Sequence, residues 1–263
     1  MRSSRSSTKP SRNDRWTHQW GHSEITGIHT LHVDATAEYV GWIDLMGAKA
    51  WMAGSIRHAA ELIGLIHLAG MRAVQKSRNA LAYPVIDGIY ITSRDKAAFR
   101  LATHGAMRTL ARTFESREPK DRFLVRGGIA YGRILHGSDV AELHKQLKRN
   151  GHYSRCLAIG ASIRQAYLAE GSAPPFGFYV DMTARSVASS NEYPYISSFD
   201  RWWRQDVKVQ KKIATRFGRL LDKHFDYLKR KHREIEYPLD RLQEHRALAR
   251  EYFRLGDSME GEA

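Results

Sequence analysis

Between Leu81 and Ser93 the chain reads LAYPVIDGIYITS, two apolar runs rich in β-branched and aromatic residues on either side of Asp87-Gly88. Asp-Gly between such runs is the strongest short-range hairpin signal a sequence offers, and it constrains what surrounds it. Pro84 has no N–H to give to a ladder, so the first of these strands belongs at a sheet edge or a bulge. The second strand needs another neighbour. EYVGWIDL (38–45) supplies one, being short, mostly apolar and suited to a central position. Between the two, Met52, Ile56, Ala59, Ile63, Ile66 and Met71 recur at three- to five-residue steps, which predicts one drifting helical face or two abutting helices over 48–76.

The pattern continues downstream. Residues 94–116 form an amphipathic helix with Phe99, Ala102, Ala106, Leu110 and Phe114 on one side. RFLVRGGIAYGRIL (122–135) is a strand whose paired glycines, Gly127 and Gly128, imply close approach by another backbone or a ligand. RCLAIGASIRQAYLAEG (155–171) reads as strand, turn at Gly160, helix, and a stop at Gly171. FGFYVD (176–181) is a further strand, and GIHTLHV (27–33) a short strand or extended lead-in. Strand, helices, hairpin, helix, strand, helix, strand is the order of an α+β sandwich, with helices over a mostly antiparallel sheet.

The ends differ from the middle. Net charge is +14, of which residues 1–15 carry +4 and residues 201–254 carry +8. The boundaries that follow are a basic flexible arm over 1–24, a globular domain over 25–198 and a basic helical extension over 199–263, broken into two helices at Pro238. Such charge attracts nucleic acid, an acidic surface or nucleotide phosphates, and equally describes a solubilising tail and a solvated helix face. No run approaches twenty uninterrupted apolar residues, and the N-terminus lacks the apolar segment of a secretory signal. The single cysteine, Cys156, excludes an internal disulfide and reads as a buried thiol in a reducing cytoplasm. His18, His22, His29 and His32 have helical spacing within pairs but no cysteines to complete a zinc site. The Trp202-Trp203 pair reads as an anchor for the extension.

Two aspartates stand out. Asp44 is a lone carboxylate at the end of an apolar strand, a costly placement without a partner or a cation. If that strand neighbours the hairpin, Asp44 and Asp87 converge beside the loop Leu45-Met46-Gly47 and a helix start, whose free N–H groups suit phosphate. Two carboxylates with phosphate oxygens are how Mg²⁺ or Mn²⁺ is held, and two such ions assist phosphoryl chemistry. An Asp-Gly tip also occurs in proteins that bind nothing, and Asp44 alone also fits a helix N-cap.

YVGWIDLMG, YPVIDGIYI, VRGGIAYG and IGASIRQAYLAE, in that order and with the aspartates 43 apart, resemble the class III nucleotidyl cyclases over residues 38–181. The resemblance implies a ferredoxin-like cyclase sandwich and a cyclase domain at 25–198. It implies metal binding by Asp44 and Asp87 with backbone groups of Ile43 and Leu45, and two Mn²⁺ or Mg²⁺ ions per site. Gly47 matches the glycine after the first aspartate, and Arg126 the arginine opening the third segment. Ile86 replaces the family's glycine before the second aspartate. Arg164 falls on the family's asparagine and Leu168 on its transition-state arginine, which makes Arg164 the candidate catalytic cation. The positions that read adenine fall on Leu81 and Leu157, which cannot hydrogen-bond a purine edge, so ATP is discriminated poorly. Tyr83 lines the base pocket or belongs to the core. This pattern is similar to the bacterial Pycsar pyrimidine cyclases of phage defence. It implies UTP as substrate, CTP as the alternative, a homodimer with composite sites, and a cyclic product read by a separate effector. The rivals are a nucleic-acid-binding protein using the basic ends and a silent domain that only dimerises.

Overall fold

A computed structural model describes residues 35–188, 198–203, 207–233, 235 and 237–253. The arm over 1–24, the segment 27–33 and the four histidines at 18, 22, 29 and 32 lie outside the described residues. Strand β1 (Thr36–Leu45) is central, flanked antiparallel by β3 (Gly88–Ser93) and β4 (Val125–His136). Strand β2 (Leu81–Val85) pairs with β3 at the sheet edge, where Pro84 leaves no ladder bond unmade. Beyond β4 lie β6 (Phe178–Val180), parallel to it, and β7 (Phe199–Asp200), while β5 (Ala158–Ile159) pairs with the far end of β4. The order β2-β3-β1-β4, with helices between β1 and β2 and between β3 and β4, is the ferredoxin-like arrangement. The fold is α+β, mostly antiparallel, as the element order implies.

Alternation along β1 divides its side chains between two layers. Ile43 and Leu45 join the main core with α2 (Ile56–Ser77) and α3 (Lys96–Ser116). Val40 and Trp42 face the other way, onto Ala130, Ile134 and Ala166 of α7 (Ala161–Glu170). The helical stretch after β1 is two helices, α1 (Ala48–Gly54) and α2, divided at extended Ser55, whose hydroxyl accepts the His58 N–H at 3.3 Å. Along α3 all five residues of the expected apolar side are buried. Gly128 is where α7 crosses β4: a Cβ there would sit 2.0 Å from the Ala166 carbonyl oxygen and 2.4 Å from the Glu170 nitrogen. The glycine pair thus marks close approach by a backbone.

Short helices α4 (Gly137–Leu143), α5 (Lys145–Lys148) and α6 (Gly151–Arg155) link β4 to β5, without an apolar period long enough to announce them. Cys156 is exposed, against the expectation of a buried thiol, because it caps the surface helix α6. Helices α8 (Val207–Lys231) and α9 (Leu239–Tyr252) follow, with Pro238 at the N-cap of α9 as its helix-breaking chemistry implies. Residues of this extension share the main core: Phe217, Leu221, Phe225 and Tyr252 are buried with Phe114 and Phe176. Trp202 buries its ring beside Phe217 and donates its Nε1–H to the Phe176 carbonyl at 2.7 Å, so the tryptophan pair does anchor the extension.

The hairpin turn is displaced by one residue from the Asp-Gly reading. Its two loop residues are Ile86 and Asp87, and Gly88 already begins β3. Gly88 is needed for room, since a Cβ would lie 2.4 Å from the Trp42 ring and 2.6 Å from the Ile43 oxygen. The left-handed position falls instead on Ile86, at φ 42° and 78% exposed. A β-branched residue there is strained. Ile86→Gly is expected to stabilise the protein by about 0.5–1 kcal/mol after glycine's entropic cost, read as a melting point higher by roughly 2–3 °C.

Candidate active site

The β1 ladders set Asp44 directly opposite Gly88 on one side and Arg126 on the other. Asp87 is the residue before Gly88, so the two aspartates meet at one corner of the sheet. His67 of α2 holds that corner, its Nε2 lying 3.0 Å from the Gly88 carbonyl oxygen. A third carboxylate joins them. Glu170 ends α7, is buried, and pairs through Oε1 with Nε of Arg126, whose Nη1 donates to the Gly171 carbonyl at 3.2 Å. Burial first, then the charges of Glu170 and Asp87, push the Asp44 carboxyl up to about 7 against the pull of Arg126. Glu170 is also raised, because burial outweighs its ion pair.

This corner fits a hard divalent cation. Its donors are carboxylate oxygens, and a crowded, half-buried Asp44 is the kind of group that a cation relieves. No cluster of three or more His, Cys, Asp or Glu side chains suited to a metal occurs among the described residues. The groups here that could hold such a cation are Asp44, Asp87 and a backbone carbonyl such as that of Leu45, whose side chain is committed to the core. Glu170 is the participant that the sequence reading missed. It lies 44 residues from Arg126, and only the packing of α7 on Gly128 brings them together.

The remaining candidates are spread out. Gly47 is exposed in the left-handed region at φ 74° and precedes α1. Arg164 and Leu168 are exposed on α7. Leu81 is exposed on β2, and Leu157 is half-buried just before β5. Tyr83 is buried, and its hydroxyl meets His136 Nδ1 at 2.5 Å, while His136 Nε2 lies 2.9 Å from Glu38 Oε1. Burial, then the charges of Glu38 and Asp139, push the Tyr83 phenol up to about 12. Arg126 stands at one end of β4 and His136 at the other. Within one chain, Leu157 therefore lies toward the opposite end of the sheet from Asp44.

The extension reaches the acidic corner. His245 of α9 places Nε2 3.5 Å from Arg126 Nη1, and its Nδ1 meets the Tyr237 hydroxyl at 2.5 Å. Burial, reinforced by Arg126, brings His245 down to about 4, and burial with Arg122 does the same to His224. Both are neutral in the fold, whereas the unfolded chain binds protons near 6.5. Stability is thus whole above pH 6.5 and is lost as pH falls toward 4. Unfolding by urea at pH 7 and pH 5 is expected to differ by about 2 kcal/mol for each histidine, and His224→Phe is expected to remove its share.

No family model matches the chain, and no curated protein matches it. Solved structures do. An adenylate/guanylate cyclase/hydrolase from Silicibacter pomeroyi aligns over 59% of this chain and 80% of its own, at 12% identity and a TM-score of 0.43. Monomeric adenylate cyclases from Trypanosoma brucei align over 60% and 80%, at 12% identity and 0.42. A bacterial light-regulated adenylyl cyclase aligns over 52% of this chain at 10% identity and 0.40, and the chain spans only 39% of that protein. These three are structures of adenylyl or adenylate/guanylate cyclases.

Proposed function

We propose that this chain is a nucleotidyl cyclase that converts UTP to cyclic UMP and pyrophosphate. The observation that carries the reading is the meeting of Asp44 and Asp87 at one corner of a ferredoxin-like sheet. In the reaction the ribose 3′-oxygen, losing its proton, bonds to the α-phosphorus while the bond to the bridging oxygen breaks and pyrophosphate leaves. Divalent cations bound at the corner, Mg²⁺ or Mn²⁺, would acidify the 3′-hydroxyl and balance charge on the phosphates. The chain's own part is positional. Asp44 and Asp87 fix the reacting end, and Arg126, locked by Glu170, keeps a positive charge beside them. Arg164, without a hydrogen bond or ion pair among the described residues, is the cation that meets the developing charge.

Leu81 and Leu157 replace the polar pair that would grip a purine, which supports a pyrimidine, UTP ahead of CTP. Leu157 lies toward the opposite end of the sheet from Asp44, so a second copy would have to bring it to a substrate held there, which supports a homodimer with two composite sites. The α7 layer covers β4 and β1, leaving Leu81, at 51% exposure, and Leu168, at 54%, uncovered. Leu168→Glu is expected to yield monomers by light scattering and to abolish turnover. Cyclic UMP made in the cytoplasm would serve as a second messenger for a separate effector in phage defence. Among the described residues no helix is long and apolar enough to cross a membrane.

The test incubates the purified chain with ATP, GTP, CTP or UTP and Mn²⁺, resolves products by mass spectrometry, and runs Asp44→Ala alongside. Cyclic UMP lost in the variant is the expected result. Cyclic CMP moves the substrate to CTP. No product from any nucleotide, with salt-dependent binding of RNA or DNA, overturns the reading in favour of a nucleic-acid-binding protein.

A further inference from the structure

Asp44 and Gly47 also line a cavity of about 720 Å³ whose far wall belongs to the C-terminal extension. Arg122 and Arg126 reach it from β4 and the loop before it, and Arg241 from α9. Arg126 is engaged with buried Glu170. The other two have no buried carboxylate partner among the described residues. Arg122 gives its Nε–H to the backbone oxygens of Phe114 and Arg117, at 3.3 and 3.1 Å. Among the described residues the ion-pair partner of Arg241 is Glu244, at 3.3 Å, with both side chains more than half exposed, a pair that holds little.

His224 provides an independent sign of a ligand. It lines the same cavity, is 1% exposed, and neither ring nitrogen has a hydrogen-bond partner among the described residues. A buried imidazole with two unmet nitrogens is costly when left dry, unless something in the cavity meets it. Cationic side chains and an imidazole around a space that begins at Asp44 suit a polyphosphate anion with its bound cations and water.

We propose that the C-terminal extension is a wall of the active site and that this cavity binds a pyrophosphate group, with Arg241 and Arg122 as its charged contacts and His224 as a hydrogen-bonding one. The inference rests on the cyclase reading only for the natural occupant, the leaving group of the nucleotide. Arg241 would then hold the departing pyrophosphate from within the same chain that supplies Asp44.

The experiment titrates inorganic pyrophosphate with magnesium into the full chain by calorimetry. Arg241→Ala removes an exposed side chain without disturbing the core and is expected to weaken binding by roughly tenfold. His224→Phe keeps an aromatic ring beside Phe114 and is expected to weaken it roughly threefold. Arg250→Ala, also on α9 but outside the cavity lining, is expected to change it little. Unchanged affinity in Arg241→Ala, or an equal loss in Arg250→Ala, overturns the inference. Turnover without Arg241-dependent binding sinks this inference and leaves the cyclase reading standing. Arg241-dependent binding without turnover of any nucleotide supports the site and sinks the reading.

Discussion

Asp44→Asn is expected to abolish cyclase turnover and, at the same time, to make the metal-free protein more stable. Under the proposed function Asp44 holds a catalytic cation, and its removal would cost several kcal/mol of transition-state stabilisation, so kcat/KM is expected to fall by at least about 10³. The stability effect has the opposite sign for a physical reason. Asp44 is half-buried beside Glu170 and Asp87, and its pKa is raised from the ordinary carboxylate value to about 7. A raised carboxyl favours the protonated fold, so stability is whole at low pH and is lost as pH rises from about 4 through 7. At pH 8 the full penalty applies, about 4 kcal/mol as an upper bound. Asparagine removes the charge and keeps the shape. Melting points at pH 8 are therefore expected to rise by several degrees in Asp44→Asn. Added Mn²⁺ is expected to raise the wild-type melting point and to leave the variant's nearly unmoved. A wild-type melting point indifferent to Mn²⁺ and Mg²⁺ would remove the metal from the account.

Gly128→Val is expected to be among the most destabilising single changes in the chain. The Cβ would be placed 2.0 Å from one backbone atom of α7 and 2.4 Å from another. Neither is the tip of a flexible side chain, so the helix must lift from the sheet. Overpacking of this kind costs about 3 kcal/mol or more, a fall of roughly 8–10 °C in melting point for a domain of this size. Lifting α7 also withdraws Glu170 from Arg126, so turnover is expected to fall beyond what unfolding explains. Gly64→Ala is the internal contrast. Gly64 is exposed on α2 with nothing within 4 Å of an added Cβ, and the change is expected to stabilise by about 0.5–1 kcal/mol. Differential scanning calorimetry of the two variants separates crowding at α7 from glycine's general helix penalty.

The strands, the long helices and the two aspartates were legible in the order of residues. Apolar periodicity is a local record of which face is buried, and turn residues record where the chain reverses. That is enough to align EYVGWIDL beside the hairpin and to bring Asp44 to Asp87. It is also enough to read the break at Pro238 and a close approach at the glycine pair, which the structure resolves as a backbone contact at Gly128. The one-residue displacement at the hairpin was not legible. Asp-Gly favours one turn locally, but Trp42, across the ladder, needs the space at Gly88, and a cross-strand clash outweighs a turn preference.

Exposure of Cys156, and the short helices around it, depend on what the rest of the chain leaves uncovered, which composition cannot say. Glu170 is the clearest case at the site. Nothing in YLAEG separates it from any helix-ending carboxylate, and it becomes part of the acidic corner only because Gly128 lets α7 settle onto β4. Tyr237, Arg241 and His245 belong with it, since their charge pattern reads as a solvated helix while their positions line a cavity beside Asp44. Local pattern was enough for the main strands, the long helices, their order and the paired carboxylates, because burial periodicity and turn residues are written along the chain. Which distant groups surround the carboxylates was decided by tertiary packing, because a contact between residues far apart in the chain leaves no periodic trace in either of them.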